Sequence, residues 1–220
     1  MGFRIGKIIE GSGRLRLLES RMITTDSIKT AVTKIAQLME ESADELNAAD
    51  GLLGDGDLGI TMVRGFREII EVRDSLPDDV GMALFQCAKA FTKSSGSSYG
   101  TLLATGLMCV AKKKKGQQEI QVEEISALLN DALYAMKQRG KAELGDKTVL
   151  DVIAASSQAA KDQSDESSVL KAINDAVTST IDEFRSRQSK IGRARIFSEK
   201  SIGLDDPGML AFRKMLEALS

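Results

Sequence analysis

The 220-residue chain contains no histidine and only two cysteines, Cys87 and Cys109. The missing histidine excludes a phosphohistidine carrier, a Ser-His-Asp triad and a histidine-ligated zinc site. Two thiols are too few for a disulfide framework or a four-cysteine zinc site. Both sit among apolar neighbours, as small buried side chains do. Two prolines and 4 % aromatics argue against a strand-rich fold. Charge of one sign is not in excess either. The 30 Lys and Arg against 32 Asp and Glu leave a net charge of −2, without the positive balance of a broad nucleic-acid-binding surface. No long apolar run occurs. The longest uncharged stretch, residues 94–111, is half Ser, Gly and Thr and makes a poor membrane span. Residues 1–22 are interrupted by charges, lack the apolar core of a signal peptide and match no helical pattern, so they read as a flexible tail. With no disulfide framework, the expectation is a cytoplasmic protein with neither membrane nor nucleic acid as partner. Its chemistry must rest on carboxylates, hydroxyls, backbone amides, Lys and Arg.

What remains is helical periodicity over an ordinary globular composition, 42 % hydrophobic and 28 % charged. From an N-cap at Asp26, the residues Ile28, Val32, Ile35, Leu38 and Met39 repeat at three- and four-residue spacing. A second helix is expected from Gly59 and a third after Pro77. A fourth starts around Tyr99 and ends in Lys112, Lys113, Lys114 and Lys115, where solvated cations suit the negative pole of a helix. Further helices are expected over 122–138, 146–161 and 168–189, and a last one after Pro207. The predicted fold is all-α: one domain over residues 23–220, an antiparallel barrel or bundle of eight helices.

Gly and Asp collect at the helix junctions. Between the first two helices stands Asp50-Gly-Leu-Leu-Gly-Asp55-Gly-Asp57, three carboxylates within eight positions, with glycines that let the backbone fold tightly around them. Like charges this close need a cation, and oxygen-only ligands select a hard ion such as Mg²⁺ or Ca²⁺. An EF-hand is excluded, because counting from Asp55 puts Gly59 at position 5 and Phe66 at position 12. The plain alternative is a solvated acidic turn. The second junction, Lys93-Ser94-Ser95-Gly-Ser-Ser-Tyr99, offers hydroxyls and free amides at a helix start, either a phosphate cradle or simple capping. The third, Gly140 through Gly145-Asp146-Lys147-Thr148, nearly spells a P-loop, but Asp146 interrupts the spacing and no strand precedes it; a helix start capped by Asp146 remains. In the fourth, Arg193 or Arg195 could grip a phosphate, and Asp206-Pro207-Gly208 reads as a turn into a helix. Together these are the parts of a Mg-nucleotide site, and phosphoryl transfer needs no histidine.

These residues resemble the nucleotide-binding L subunit of dihydroxyacetone kinases. The resemblance runs from about Ile28 to Leu219 and is strongest at Gly54–Phe66, at Arg139–Thr148 and at Glu199–Gly208, three motifs in the family's order. It implies an antiparallel eight-helix barrel with the nucleotide at one end. Asp50, Asp55 and Asp57 would hold two Mg²⁺ ions bridging the phosphates of ADP or ATP, and these aspartates with Arg193 would be the catalytic groups. Leu58, Gly59, Ile60 and Thr61, with Ser94 and Ser95, would line the phosphates. Gly140 and Val149 would border the nucleotide, and Arg193, Asp206, Pro207 and Gly208 would complete the pocket. The implied activity is that of a kinase subunit passing phosphate to an alcohol group, active only with a separate K subunit that binds the ketose covalently through a histidine. The phosphoryl source would be ATP or a phosphohistidine protein of the phosphotransferase system, and a homodimer is expected. Family histidines are replaced by Leu58 and Leu204, Thr61 stands where Asn is common, and Ser97-Ser98 replace Pro-Leu. A kinase for another ketose such as erythrulose, a fatty-acid kinase, and a regulatory protein that binds a transcription factor are the competing expectations.

Overall fold

The computed structural model describes residues 22–94 and 96–220, so the expected tail, up to residue 21, and Ser95 lie outside the described residues. Within them the chain is helical, with β1 (Met22–Thr24) and β2 (Glu119–Gln121) as one short antiparallel pair in which Ile23 faces Ile120. Nine α-helices occur among the described residues: α1 (Thr25–Glu41), α2 (Ala43–Leu53), α3 (Leu58–Val72), α4 (Val80–Ser94), α5 (Ser98–Lys114), α6 (Ile125–Gly140), α7 (Val149–Ala159), α8 (Glu166–Arg185) and α9 (Pro207–Glu217). The all-α expectation therefore holds, but the number differs from eight. The extra helix is α2, which the acidic, glycine-containing sequence around Asp50 disguises as a loop. Its two buried anchors, Leu46 and Leu53, are seven residues apart on one face.

Helix α1 begins earlier than the sequence suggests. Thr24, not Asp26, is the N-cap, because β1 delivers it in the extended conformation that a cap requires; it exchanges hydrogen bonds with Ser27. The cationic end of α5 is also only partly solvated. Lys114 is buried at 4 % exposure, where its ammonium pairs with Glu124 and donates to Gln117 at 3.0 Å. It ties α5 to the turn after β2, a tertiary contact that no local pattern announces.

Helices neighbouring in sequence pack on one another from α3 through α9, α1 packs on α3, and α9 returns to α1; α2 lies against α3 and α9. The shared interior holds Met39, Leu46, Met62, Val80, Phe91, Leu150, Val177 and Met209, each essentially inaccessible. Phe66 and Phe91 meet edge to face at 5.5 Å between α3 and α4. Because the chain reverses direction between successive helices, α3, α5, α7 and α9 all begin at the same end of the molecule. The residues that open them, Leu58, Ser98, Val149 and Pro207, line a single cavity there.

Candidate functional site

The cavity encloses about 770 Å³, a volume that suits a ligand the size of a nucleotide. At one edge lies the acidic loop. Asp50 projects from the last turn of α2, half-buried, and one of its carboxylate oxygens accepts from the amides of Asp57 at 3.0 Å and Leu58 at 3.3 Å. It thereby caps α3 from outside and fixes the loop between. Asp55 and Asp57 are exposed, and one carboxylate oxygen from each of the three aspartates lies within 4.8 Å of the others. Two glycines permit this crowding. A Cβ on Gly54 would stand 2.4 Å from Asp50 Oδ1, and one on Gly59 would stand 2.0 Å from the Ala43 carbonyl, which seats α3 directly on α2. Burial first, then the charges of Asp55 and Asp50, push the Asp57 pKa up; Arg193 partly offsets them. The guanidinium of Arg193 pairs directly with Asp55.

The cavity is also lined by the start of α9, where the carboxylate of Asp206 accepts from the Met209 amide at 2.9 Å. Enclosure pushes the Asp206 pKa up to about 7, against the lowering effect of the Met209 bond and of Lys147. Beside it, Tyr99 lines the cavity with its hydroxyl buried and without a hydrogen-bond partner; burial, then the nearby Asp206 charge, push the phenol up. The ring of Tyr99 lies over Gly208, where a Cβ would be 3.1 Å from both the ring and Asp206 Oδ2.

The third junction is arranged differently from the sequence expectation. Thr148, not Asp146, caps α7, in a reciprocal box with Asp151, while the Asp146 carboxylate accepts from the Glu143 amide at 2.8 Å. Lys147 does not reach for phosphate. It is 1 % exposed, and its ammonium donates to the carbonyls of Arg187 and Ser201, both at 2.8 Å, and of Arg185 at 3.4 Å. Burial pulls its pKa down, and Asp206 and Asp205 oppose that.

Of the residues singled out by sequence, the structure brings Asp50, Asp55, Asp57, Leu58, Thr61, Gly140, Val149, Arg193, Asp206, Pro207 and Gly208 to this cavity. Gly59 and Ile60 are not among its lining residues. Gly59 is buried against α2, and Ile60 is exposed, its amide donating to Asn47 Oδ1 at 3.2 Å. Ser94 closes α4, and Ser95 lies outside the described residues. Sequence reasoning assigned no ligand role to Arg64, Tyr99, Thr101, Leu102 or Arg139, and all five line the cavity. Arg64 and Arg139 stand within the stretches 54–66 and 139–148 and Tyr99 within the second junction, but which of their side chains meet the cavity appears only once the packing is known.

The chain is similar in sequence and in fold to known proteins. The chain is 28 % identical over 194 residues to the Escherichia coli (strain K12) PEP-dependent dihydroxyacetone kinase, ADP-binding subunit DhaL, covering 86 % of this chain and 92 % of that one. It is 29 % identical over 189 residues to the D-erythrulose kinase of Mycolicibacterium smegmatis, covering 82 % of this chain and 32 % of that larger one. The fold superposes on the C. freundii dihydroxyacetone kinase solved with AMP-PNP and Mg²⁺, with a TM-score of 0.70 at 22 % identity, over 99 % of this chain and 37 % of that one. Residues 52–220, from the acidic loop to the end of α9, match the DAK2 domain. The chain, with its acidic loop and its ring of helix starts, belongs to the DAK2 domain family.

Proposed function

We propose that this chain is the nucleotide-carrying subunit of a two-component ketose kinase, binding ADP or ATP with Mg²⁺ and working with a separate subunit that holds the ketose. The observation that carries the reading is the convergence of four helix N-termini, those of α3, α5, α7 and α9, on one cavity edged by three aspartates within 4.8 Å. Each helix start presents the positive pole of its dipole and supports an anion. The aspartates, by contrast, would repel one. Only a ligand that combines anionic groups with cations satisfies both halves of the cavity.

The aspartates suit such cations. Their donors are all carboxylate oxygens, the set that hard ions prefer, and the glycine at position 54 leaves room that a side chain would fill. When bound, Mg²⁺ neutralises phosphate charge and aligns the phosphates for transfer. Asp50, Asp55 and Asp57 would hold two such ions. Arg193, already on Asp55, stands where it can also take a phosphate oxygen. Asp206 and Gly208, with Tyr99 packed on them, form a further part of the cavity wall. The three cavity arginines Arg64, Arg139 and Arg193 offset the three acidic-loop carboxylates, which leaves Asp206 as the remaining carboxylate of the lining.

No residue of this chain can bind a ketose through histidine, since it has none, so that attachment belongs to the partner subunit. The relatives named as ADP-binding subunits of PEP- or PTS-dependent enzymes favour ADP that stays bound and is rephosphorylated by a phosphohistidine protein over exchange with free ATP. They favour neither a fatty-acid kinase nor a regulatory binder. The test is calorimetric titration of ADP with Mg²⁺ into the wild-type chain and into Asp55→Asn and Asp57→Asn. Metal-dependent binding by the wild type, lost in both variants with the far-UV circular dichroism unchanged, is the expected result. Undiminished affinity in both variants would remove the metal assignment.

A further inference from the structure

Arg64 stands out among the arginines of the described residues. Arg67, Arg73, Arg185, Arg187, Arg193 and Arg213 each have a carboxylate within 4.0 Å. Arg64 has none among the described residues, although it lines the cavity. Its natural partner is close in sequence. Glu68 lies one helical turn further along α3, but its carboxylate is taken by Lys93 of α4 at 2.9 Å. An arginine placed N-terminal to a glutamate at this spacing is in any case the weaker orientation for an ion pair.

The position on α3 gives this free charge a direction. Asp57 is the N-cap of α3, and Thr61 and Arg64 follow it four and seven residues on, forming one stripe on the cavity side. Side chains on a helix lean toward its N-terminus, so Arg64 leans back toward the acidic loop. Arg139, the other cavity arginine with no carboxylate in range, has an ordinary explanation, since it lies in the last turn of α6 against the negative pole of that helix. Arg64 is exposed in mid-helix, away from either pole, and lines the cavity with its guanidinium open to an anionic ligand, the planar bidentate donor that phosphate oxygens suit.

We propose that Arg64 is a further anion-binding residue of this site, its guanidinium taking phosphate oxygens of the bound nucleotide from the α3 side. The assignment rests on the nucleotide reading given above and extends it to Arg64, which stands within the Gly54–Phe66 stretch but was given no role there. It is tested by calorimetric titration of ADP with Mg²⁺ into the wild-type chain, Arg64→Gln, Arg64→Lys and Arg67→Gln. Arg67 is exposed on the same helix, pairs with Glu40 and does not line the cavity. The expected result is a roughly ten- to hundredfold loss of affinity in Arg64→Gln, the scale of a charged hydrogen bond. Partial recovery is expected in Arg64→Lys, and a change within about twofold in Arg67→Gln. Wild-type affinity in Arg64→Gln, or an equal loss in Arg67→Gln, would overturn the contact while leaving the nucleotide reading in place. A wild-type chain that binds no nucleotide would overturn both.

Discussion

Asp206 serves α9 as a cap and the cavity as a wall, and these two roles set its titration. Its carboxylate accepts from the Met209 amide, yet enclosure raises its pKa from 3.8 to about 7. The folded chain therefore binds a proton that the unfolded chain has released, between roughly pH 4 and 7. Stability from this group is present in full below pH 4 and is lost as pH rises through 7. Asp206→Asn keeps a capping oxygen but cannot titrate, so its urea midpoint is expected to vary less than that of the wild type between pH 5 and 7.5; parallel curves for the two proteins would contradict the assignment. At this scale the sequence was informative where chemistry is contiguous. Asp50, Asp55 and Asp57 lie in one short segment, and their spacing alone announced a cluster that the structure closes to 4.8 Å. Arg64, Tyr99 and Arg139 come from three separate helices. Each lies in a stretch the sequence singles out, yet nothing local assigns it to the ligand, because what joins them is the cavity.

The elements that carry the site are held by contacts between chain ends remote in sequence. Lys147 is the main example. The near-P-loop spacing around it fails because Asp146 interrupts it, and a backbone turn with φ of 64° directs its side chain inward. There it gathers the carbonyls of Arg185, Arg187 and Ser201, joining the end of α8 to the 3₁₀ segment Ala194–Ser201 that leads toward α9. Replacing it by Met leaves the buried Ser201 carbonyl and the part-buried Arg187 carbonyl without this donor, so Lys147→Met should lower the unfolding free energy by about 3 kcal/mol, measured by urea denaturation. A loss below about 1 kcal/mol would mean that water replaces the ammonium at little cost. Helix α2 illustrates the converse limit. Its polar, glycine-containing sequence carries only two core anchors, and packing on α3 and α9 stabilises it where propensity alone would not.

For the whole molecule, the cavity is a property of packing order. Helices that alternate in direction bring every second N-terminus to one end, and the dipoles of α3, α5, α7 and α9 then act on the same space. A ligand bound there touches all four and couples them, so ADP with Mg²⁺ at about a hundred times its dissociation constant should raise the unfolding free energy by about 2.7 kcal/mol. Thermal melts with and without a chelator check this; stabilisation by ADP that survives chelation would argue against the metal loop as its anchor. The sequence by itself determined the helical class, the absence of any histidine chemistry and the acidic loop, because periodicity, composition and short-range spacing are local quantities. Only the tertiary structure decided that α2 forms, that Lys147 and Lys114 are buried, and that Arg64 and Tyr99 share a cavity with Asp57 and Asp206. Those outcomes depend on which helix faces meet, and burial between faces far apart in the chain outweighs what any single segment prefers.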